Sequence, residues 1–262
     1  MALIAHLSDI HLDTADGGRS AARTRAVMDY LEGLPVDLDA VLVTGDIADH
    51  GRPDEYASAR ELLLGSRHPV LVCPGNHDDR TAFRTGLLGL PGSVEPVNQV
   101  LRTAGCTIAL CDSSVPGEDE GFLSDGTLAW LEEVLAGTPA GTPVLVGFHH
   151  PPVELHTPYV DQWRQFGEER LAALARRYPD LAGFLCGHTH TATATVFAGR
   201  PLLVAPGVVS ALRLPWEQPT GPSPHVHLDL PPAVAFHVVD GGGRLTTHYR
   251  IVDASSGLGS GR

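Results

Sequence analysis

Val70-Leu71-Val72-Cys73-Pro74-Gly75-Asn76-His77-Asp78 is an apolar run halted by a Pro-Gly turn and followed at once by three polar side chains. Four β-type residues bounded by turn residues read as a short buried strand. Proline cannot continue the ladder, and glycine permits a sharp turn, so Asn76, His77 and Asp78 emerge where the strand ends. The same layout recurs along the chain. Runs at 2–7, 40–44, 144–148 and 181–186 lead into Asp9-Ile10-His11, Gly45-Asp46, His149-His150-Pro151 and Gly187-His188-Thr189-His190, and a further run lies at 107–111. Between them, 19–32, 54–64, 81–87, 124–135 and 163–178 show helical periodicity. Alternation of this kind predicts an α/β fold with helices on the sheet faces. A parallel-type sheet gathers its strand-end loops on one edge, so all five polar clusters are expected there.

After His190 the pattern changes to strands at 194–197, 201–205, 234–239 and 245–252, the last two joined by the turn Asp240-Gly241-Gly242-Gly243, and a second, largely β layer is expected. Residues 214–232 carry many of the prolines and read as a long loop over the surface and over the site. Residues 255–262 read as a flexible Gly/Ser tail. The expected organisation is a single domain over 1–254, with a small cap near 152–168.

The chain has 262 residues, 43% hydrophobic and 19% charged, enough for one substantial core. Its net charge of −13 argues against a nucleic-acid polymer or an anionic membrane as partner, save where bound cations reverse the sign locally. No run approaches the roughly 18 apolar residues a membrane helix needs. The opening residues offer neither a basic leader nor a cleavage site, so a cytoplasmic location is expected. Cys73, Cys106, Cys111 and Cys186 lack C-x-x-C spacing and are expected as reduced core thiols.

Each cluster has a chemical reading beside a bland one. In extended backbone, residues two apart point the same way, so Asp9 with His11, and His188 with His190, can each converge on one ion. Asp46 leaves a buried strand and needs a cationic partner if it stays ionised, although a turn carboxylate is the plain alternative. That plainer role suits Asp49. Asn76 offers a neutral oxygen to a hard cation. His77 beside Asp78 reads as an imidazole oriented by a carboxylate, fit to stabilise phosphate charge or protonate a leaving oxygen. Strand alternation puts His149 toward the active edge and His150 on the other side.

In order and identity the blocks D-x-H, G-D, G-N-H-D, H-x-P and G-H-x-H, from Asp9 to His190, resemble the calcineurin-like metallophosphoesterase family. The His149-His150-Pro151-Pro152 layout is most similar to its class III cyclic nucleotide phosphodiesterases and their glycerophosphodiesterase relatives. The resemblance implies a four-layer αββα sandwich of two mixed sheets with a dinuclear centre between them. Carried over position by position, it implies that Asp9, His11 and His190 bind one metal and that Asn76, His149 and His188 bind a second, with Asp46 bridging. His77 would face the scissile phosphate with Asp78 behind it, and Asn76, His77 and His150 would meet the substrate. His150 has packing beneath the site as its alternative. The metals implied are Mn²⁺, Fe²⁺/Fe³⁺, Zn²⁺ or Co²⁺, a set the His, Asp and Asn donors tolerate. The implied reaction is in-line attack of a metal-bridging hydroxide on a small phosphodiester, and the implied assembly is a homodimer.

Alternatives on the same centre are a phosphomonoesterase, a pyrophosphatase or a nuclease, since fold and ligands do not separate them. A non-catalytic scaffold would have lost ligands, and none is missing. Tyr159, Trp163 and Phe166 in the cap read as base-stacking, subunit-contacting or core aromatics. His225 and His227 read as overhanging the pocket or as lying on an exposed edge strand.

Overall fold

The apolar runs pair side by side in a computed structural model that describes residues 1–217 and 223–253. In chain order the elements are β1 (Ala2–Leu7), α1 (Arg19–Glu32), β2 (Ala40–Thr44), α2 (Pro53–Leu63), β3 (Val70–Cys73) and α3 (Arg80–Ala82), which runs into a π turn at Phe83–Leu87. Then come β4 (Gln99–Arg102), β5 (Thr107–Leu110), β6 (Gly121–Phe122), α4 (Asp125–Ala136), β7 (Val144–Gly147), α5 (Pro158–Asp161), β8 (Gln165–Phe166) and α6 (Glu168–Arg177). The last are β9 (Leu181–Cys186), β10 (Thr193–Phe197), β11 (Arg200–Val204), β12 (Ala211–Leu212), β13 (Val226–His227), β14 (Ala233–Val239) and β15 (Leu245–Ile251).

Two large mixed sheets form, ordered β15-β14-β1-β2-β3 and β10-β11-β9-β7-β5-β4. The late strands therefore do not make a layer of their own. β14 and β15 extend the first sheet beside β1, and β10 and β11 extend the second beside β9. Each pair satisfies an open edge that the parallel strands would otherwise leave.

Strand alternation sorts side chains into three apolar layers. Ala5, Leu7, Val41 and Val43 meet Val27, Met28 and Leu31 of α1 on the outer face of the first sheet. Val144, Val146 and Phe184 meet Leu131 and Val134 of α4 and Leu171 and Leu174 of α6 on the outer face of the second. Between the sheets lie Ile4, Leu42, Leu71, Ile108, Leu145 and Leu185. Both faces of the central strands are thus dry, which is why the sequence shows continuous apolar runs rather than alternation. All four cysteines are buried and free, as expected.

Parallel register fixes the functional edge. Leu7 lies beside Val43, and Val43 beside Val72, so the residues after β1, β2 and β3 exit together. Leu110, Gly147 and Leu185 do the same in the second sheet. Of the predicted helices, 163–178 needs correction: α6 starts only at Glu168, because Gly167 takes a left-handed φ of 69° that interrupts the turn before it. The preceding residues instead form α5 and β8, with β8 pairing β6. In the Pro-rich stretch, β13 pairs β12, and residues 218–222 of that stretch, with the tail at 255–262, lie outside the described residues.

Candidate functional site

Asp9, His11, Asp46, His188 and His190 all have left-handed backbones, with φ of 54°, 39°, 49°, 70° and 52°. Non-glycine residues pay for this conformation, and such strain concentrates where a side chain must be aimed. The extended D-x-H and H-x-H geometry expected from sequence is therefore not the one used. Each chain segment turns sharply off its strand, and the polar side chains still converge. Close approach explains the neighbouring glycines: a Cβ at Gly75 would collide with the Asp46 carboxylate, and one at Gly45 with the His149 ring.

The donors gather into two groups. In one, Asp9 Oδ1 lies 3.4 Å from His190 Nε2, which lies 3.1 Å from His11 Nε2. In the other, His149 Nε2 lies 3.2 Å from Asn76 Oδ1 and 3.3 Å from His188 Nδ1. Asp46 joins them: its Oδ2 is 3.4 Å from His11 Nε2 and 3.3 Å from His149 Nε2. All of these side chains except those of Asn76 and His190, which are partly exposed, are almost wholly buried.

Hydrogen bonds on the far side of each ring settle which nitrogens face inward. His149 Nδ1 donates to the Thr44 carbonyl at 2.7 Å, and His11 Nδ1 donates to the Asp49 carboxylate at 2.8 Å. A carbonyl or carboxylate oxygen can only accept, so the inward Nε2 of both neutral rings carries a lone pair. His190 Nδ1 is held by Ser210 Oγ at 2.7 Å. Nitrogen and oxygen lone pairs therefore face one another at about hydrogen-bond distance, an arrangement that needs a cation in its midst. The residues fit a metal centre.

Without metal, protons take up part of that strain. Burial opposes charge on His149, but the Asp46 and Asp9 carboxylates overcome it and push its pKa up to about 9. Burial likewise works against Asp46, yet His149 and His77 hold its carboxyl well below the usual range. Burial, with Asp46 nearby, raises Asp9 to about 6. Burial and neighbouring imidazoles push His188 and His190 down to about 3, so both stay neutral and keep their lone pairs.

The expected pairing of His77 with Asp78 does not form. Asp78 is taken up by the backbone N–H groups of Ile47, Ala48 and Gly75 and by the Tyr56 hydroxyl. It staples the loop after β2 to the loop after β3, and burial beside Asp46 raises its carboxyl to about 6. His77 turns the other way, donating from Nδ1 to the Asp49 carbonyl at 2.8 Å. Asp49, expected as a plain turn carboxylate, thus holds both His11 and His77. Its position three residues after Asp46, in a loop leaving the same strand end, was the available signal.

His150 does not point away from the site. β7 ends at Gly147, so strand alternation no longer applies, and the His150 ring lies 4.7 Å from that of His149 and 4.8 Å from that of His188. Ser113 Oγ accepts the backbone N–H groups of His149 and His150 at 3.2 and 3.3 Å and lies 2.9 Å from His150 Nδ1. With both lone pairs used, the Ser113 hydroxyl donates to Nδ1, which leaves the His150 proton on Nε2. Ser113 gave no spacing signal in the sequence. In the cap, Tyr159 stacks on His225 at 3.9 Å and meets Trp163 edge-on at 5.4 Å, while His227 lies in β13. Phe166 lies under the Arg164 guanidinium.

A cavity of about 190 Å³ opens beside the centre, lined by Asn76, His77, Asp79, Thr81, Val94 and Val115 among others. A larger groove of about 500 Å³, at the opposite ends of β7, β9 and β11, contains none of the clusters.

Comparison with known proteins places these features in context. The calcineurin-like phosphoesterase profile matches residues 2–192. The chain is 36% identical over 216 residues to a protein named glycerophosphodiester phosphodiesterase GpdQ from Enterobacter lignolyticus, spanning 79% of this chain and 77% of that one. It is 35% identical over 210 residues to a protein named as a probable cyclic nucleotide phosphodiesterase from Rhodococcus erythropolis, spanning 77% of this chain and 69% of that one. In fold it is similar to the crystal structure of a dimetal phosphatase from Danio rerio, with a TM-score of 0.65 at 16% identity over 96% of this chain and 99% of that one.

Proposed function

This chain belongs to the calcineurin-like phosphoesterase family and is a metal-dependent phosphodiester hydrolase, and from that premise we propose that it hydrolyses small phosphodiesters at a dinuclear centre. Cyclic nucleotides such as 3′,5′-cAMP and glycerophosphodiesters are the substrate classes, in line with the names of its relatives. The observation that carries the reading is the Asp46 Oδ2 atom, which faces His11 Nε2 and His149 Nε2 at once. One oxygen presented to two donor groups would be able to serve ions held by both.

Asp9, His11 and His190 would hold one divalent ion, Asn76, His149 and His188 the other, with Asp46 between. When bound, such ions supply the charge that makes water a nucleophile near neutral pH and that offsets the phosphoryl oxygens. Mn²⁺, Fe²⁺/Fe³⁺, Zn²⁺ and Co²⁺ all suit this mixture of nitrogen and oxygen donors. Asp9 and Asp46 are the only anionic ligands, so the loaded centre stays positive and attracts a phosphodiester monoanion despite the protein's negative total. His77 presents Nε2 toward the cavity, since Nδ1 is committed to the Asp49 carbonyl. From there it donates a proton to the departing alkoxide. Asp49 holds the His77 ring in that orientation through its carbonyl, with its carboxylate 3.9 Å from Nδ1. Asp78 acts one step back, fixing the two loops that present Asp46 and Asn76.

The test is a substrate panel on metal-reconstituted protein: cyclic nucleotides, glycerophosphodiesters, and mono- and bis-p-nitrophenyl phosphate. Faster turnover of diesters than of monoesters is expected. A monoester preference would overturn the reading.

A further inference from the structure

The cavity beside His77 has a wall chemistry that sorts substrates. Its only guanidinium, that of Arg80, is spent: Nη1 donates to the Val94 carbonyl, Nη2 to the Ser114 carbonyl, and Nε faces Asp112 at 2.8 Å. The Arg80 side chain is only 12% exposed and presents no free cation to the cavity. Asp79, by contrast, is exposed, and one of its oxygens caps α3 by accepting the Ala82 N–H at 2.7 Å. The remaining walls are Thr81, Val94, the 114–117 turn, Asn76, His77 and the half-buried Asp78.

We propose that this cavity is the leaving-group pocket and that Asp79 is its specificity-determining residue, selecting neutral or cationic alcohols and rejecting anionic ones. The inference rests on the phosphodiesterase reading above. In the reaction, the water oxygen bonds to phosphorus as the P–O bond to the alcohol breaks, and the departing oxygen takes a proton from His77 Nε2. Water and an acyclic diester become a phosphomonoester and an alcohol, while a cyclic diester opens to one molecule that carries both groups. The alcohol must leave on the side of the group that protonates it, and His77 forms a wall of this cavity. A volume of about 190 Å³ holds a small polyol, an amino alcohol or a single aromatic ring. A second phosphate on that alcohol would meet the Asp79 carboxylate, while Arg80 is spent and His77 is engaged at the scissile bond, so phosphorylated leaving groups and polynucleotide strands are disfavoured.

Two methyl aryl phosphodiesters test this directly, one with a para-trimethylammonium phenol and one with a para-carboxylate phenol as leaving group. The measured quantity is the ratio of kcat/KM for the cationic ester over the anionic one, on Mn²⁺-loaded protein. Asp79→Asn keeps a capping oxygen and drops the charge, while Thr81→Lys leaves Asp79 intact and adds a cation to the same wall. Comparing variants cancels the difference in leaving-group basicity. The wild type favours the cationic ester, and each substitution lowers the ratio by roughly tenfold, the effect of one charge a few ångströms away in a half-solvated cleft. Ratios within twofold of each other in all three proteins would sink the pocket assignment while leaving the phosphodiesterase reading intact. Failure of the wild type to cleave either ester would bring down both.

Discussion

The Asp49 carboxylate accepts the Nδ1 proton of His11 at 2.8 Å, while the Asp49 carbonyl accepts that of His77 at the same distance. One residue therefore orients a proposed metal ligand with its side chain and a proposed acid with its backbone. Asp49→Ala should loosen His11 and lower metal affinity by roughly 10- to 100-fold, the usual cost of losing such a partner. Asp49→Asn, which keeps an acceptor oxygen, should lose less. Mn²⁺ titration of metal-stripped protein distinguishes them, and equal affinities in all three proteins would contradict the assignment.

Variants of Asp46 and His77 should separate the proposed metal binding from the proposed proton transfer. Asp46→Ala and Asn76→Ala should abolish turnover and reduce bound metal, because each removes a proposed donor of the centre. His77→Ala should keep its metal while kcat falls by roughly 10²- to 10⁴-fold, the range for loss of a general acid. Elemental analysis beside steady-state kinetics decides the matter. Full activity in Asp46→Ala would defeat the bridging role.

Removal of the ions should be reversible. Chelation should abolish diester hydrolysis, and Mn²⁺ should restore it, since the donors are preset by Thr44, Asp49 and Ser210. Protein that carries no metal on purification and gains no activity with Mn²⁺ would favour a scaffold.

His6 and His237 predict an acid limit to stability. They lie fully buried in adjacent strands, 3.0 Å apart through Nδ1 and Nε2, between Thr44 and Thr247. Burial pushes His237 down to about 3, and burial together with His237 holds His6 well below its usual range. The unfolded chain takes up their protons near pH 6.5 and the folded chain cannot. Stability is therefore full above about pH 6.5 and falls as pH drops toward 3, by about 1.4 kcal/mol per pH unit for each ring. In metal-free protein, the urea midpoint of His237→Gln should decline less steeply from pH 6.5 to 4.5 than that of the wild type. Parallel declines would argue against the pair.

The positions of the buried strands and the edge at which they deliver their polar residues were legible, though not the sheet each late strand joins, because strands buried on both faces write continuous apolar runs ending at Leu7, Thr44, Cys73 and Cys186. The helix over 163–178 misled because Leu171, Leu174 and their neighbours have helical spacing, while the break at Gly167 depends on one left-handed residue. Periodicity does not register a single dihedral. β4 escaped notice because Gln99–Arg102 is a half-buried edge strand with mixed composition. At the site, residue types were readable and their partners were not. Nothing in sequence separates Asp78, consumed by three backbone amides, from Asp49, or ties Ser113 to a histidine pair more than thirty positions on.

The left-handed turns at Asp9, His11, Asp46, His188 and His190 make this signature hard to transplant. Copying the same letters onto the straight rim of another scaffold would aim the carboxylates and imidazoles elsewhere. A designer borrowing the centre would have to import the kinked connections whole, with the tight glycine clearances that let them nest.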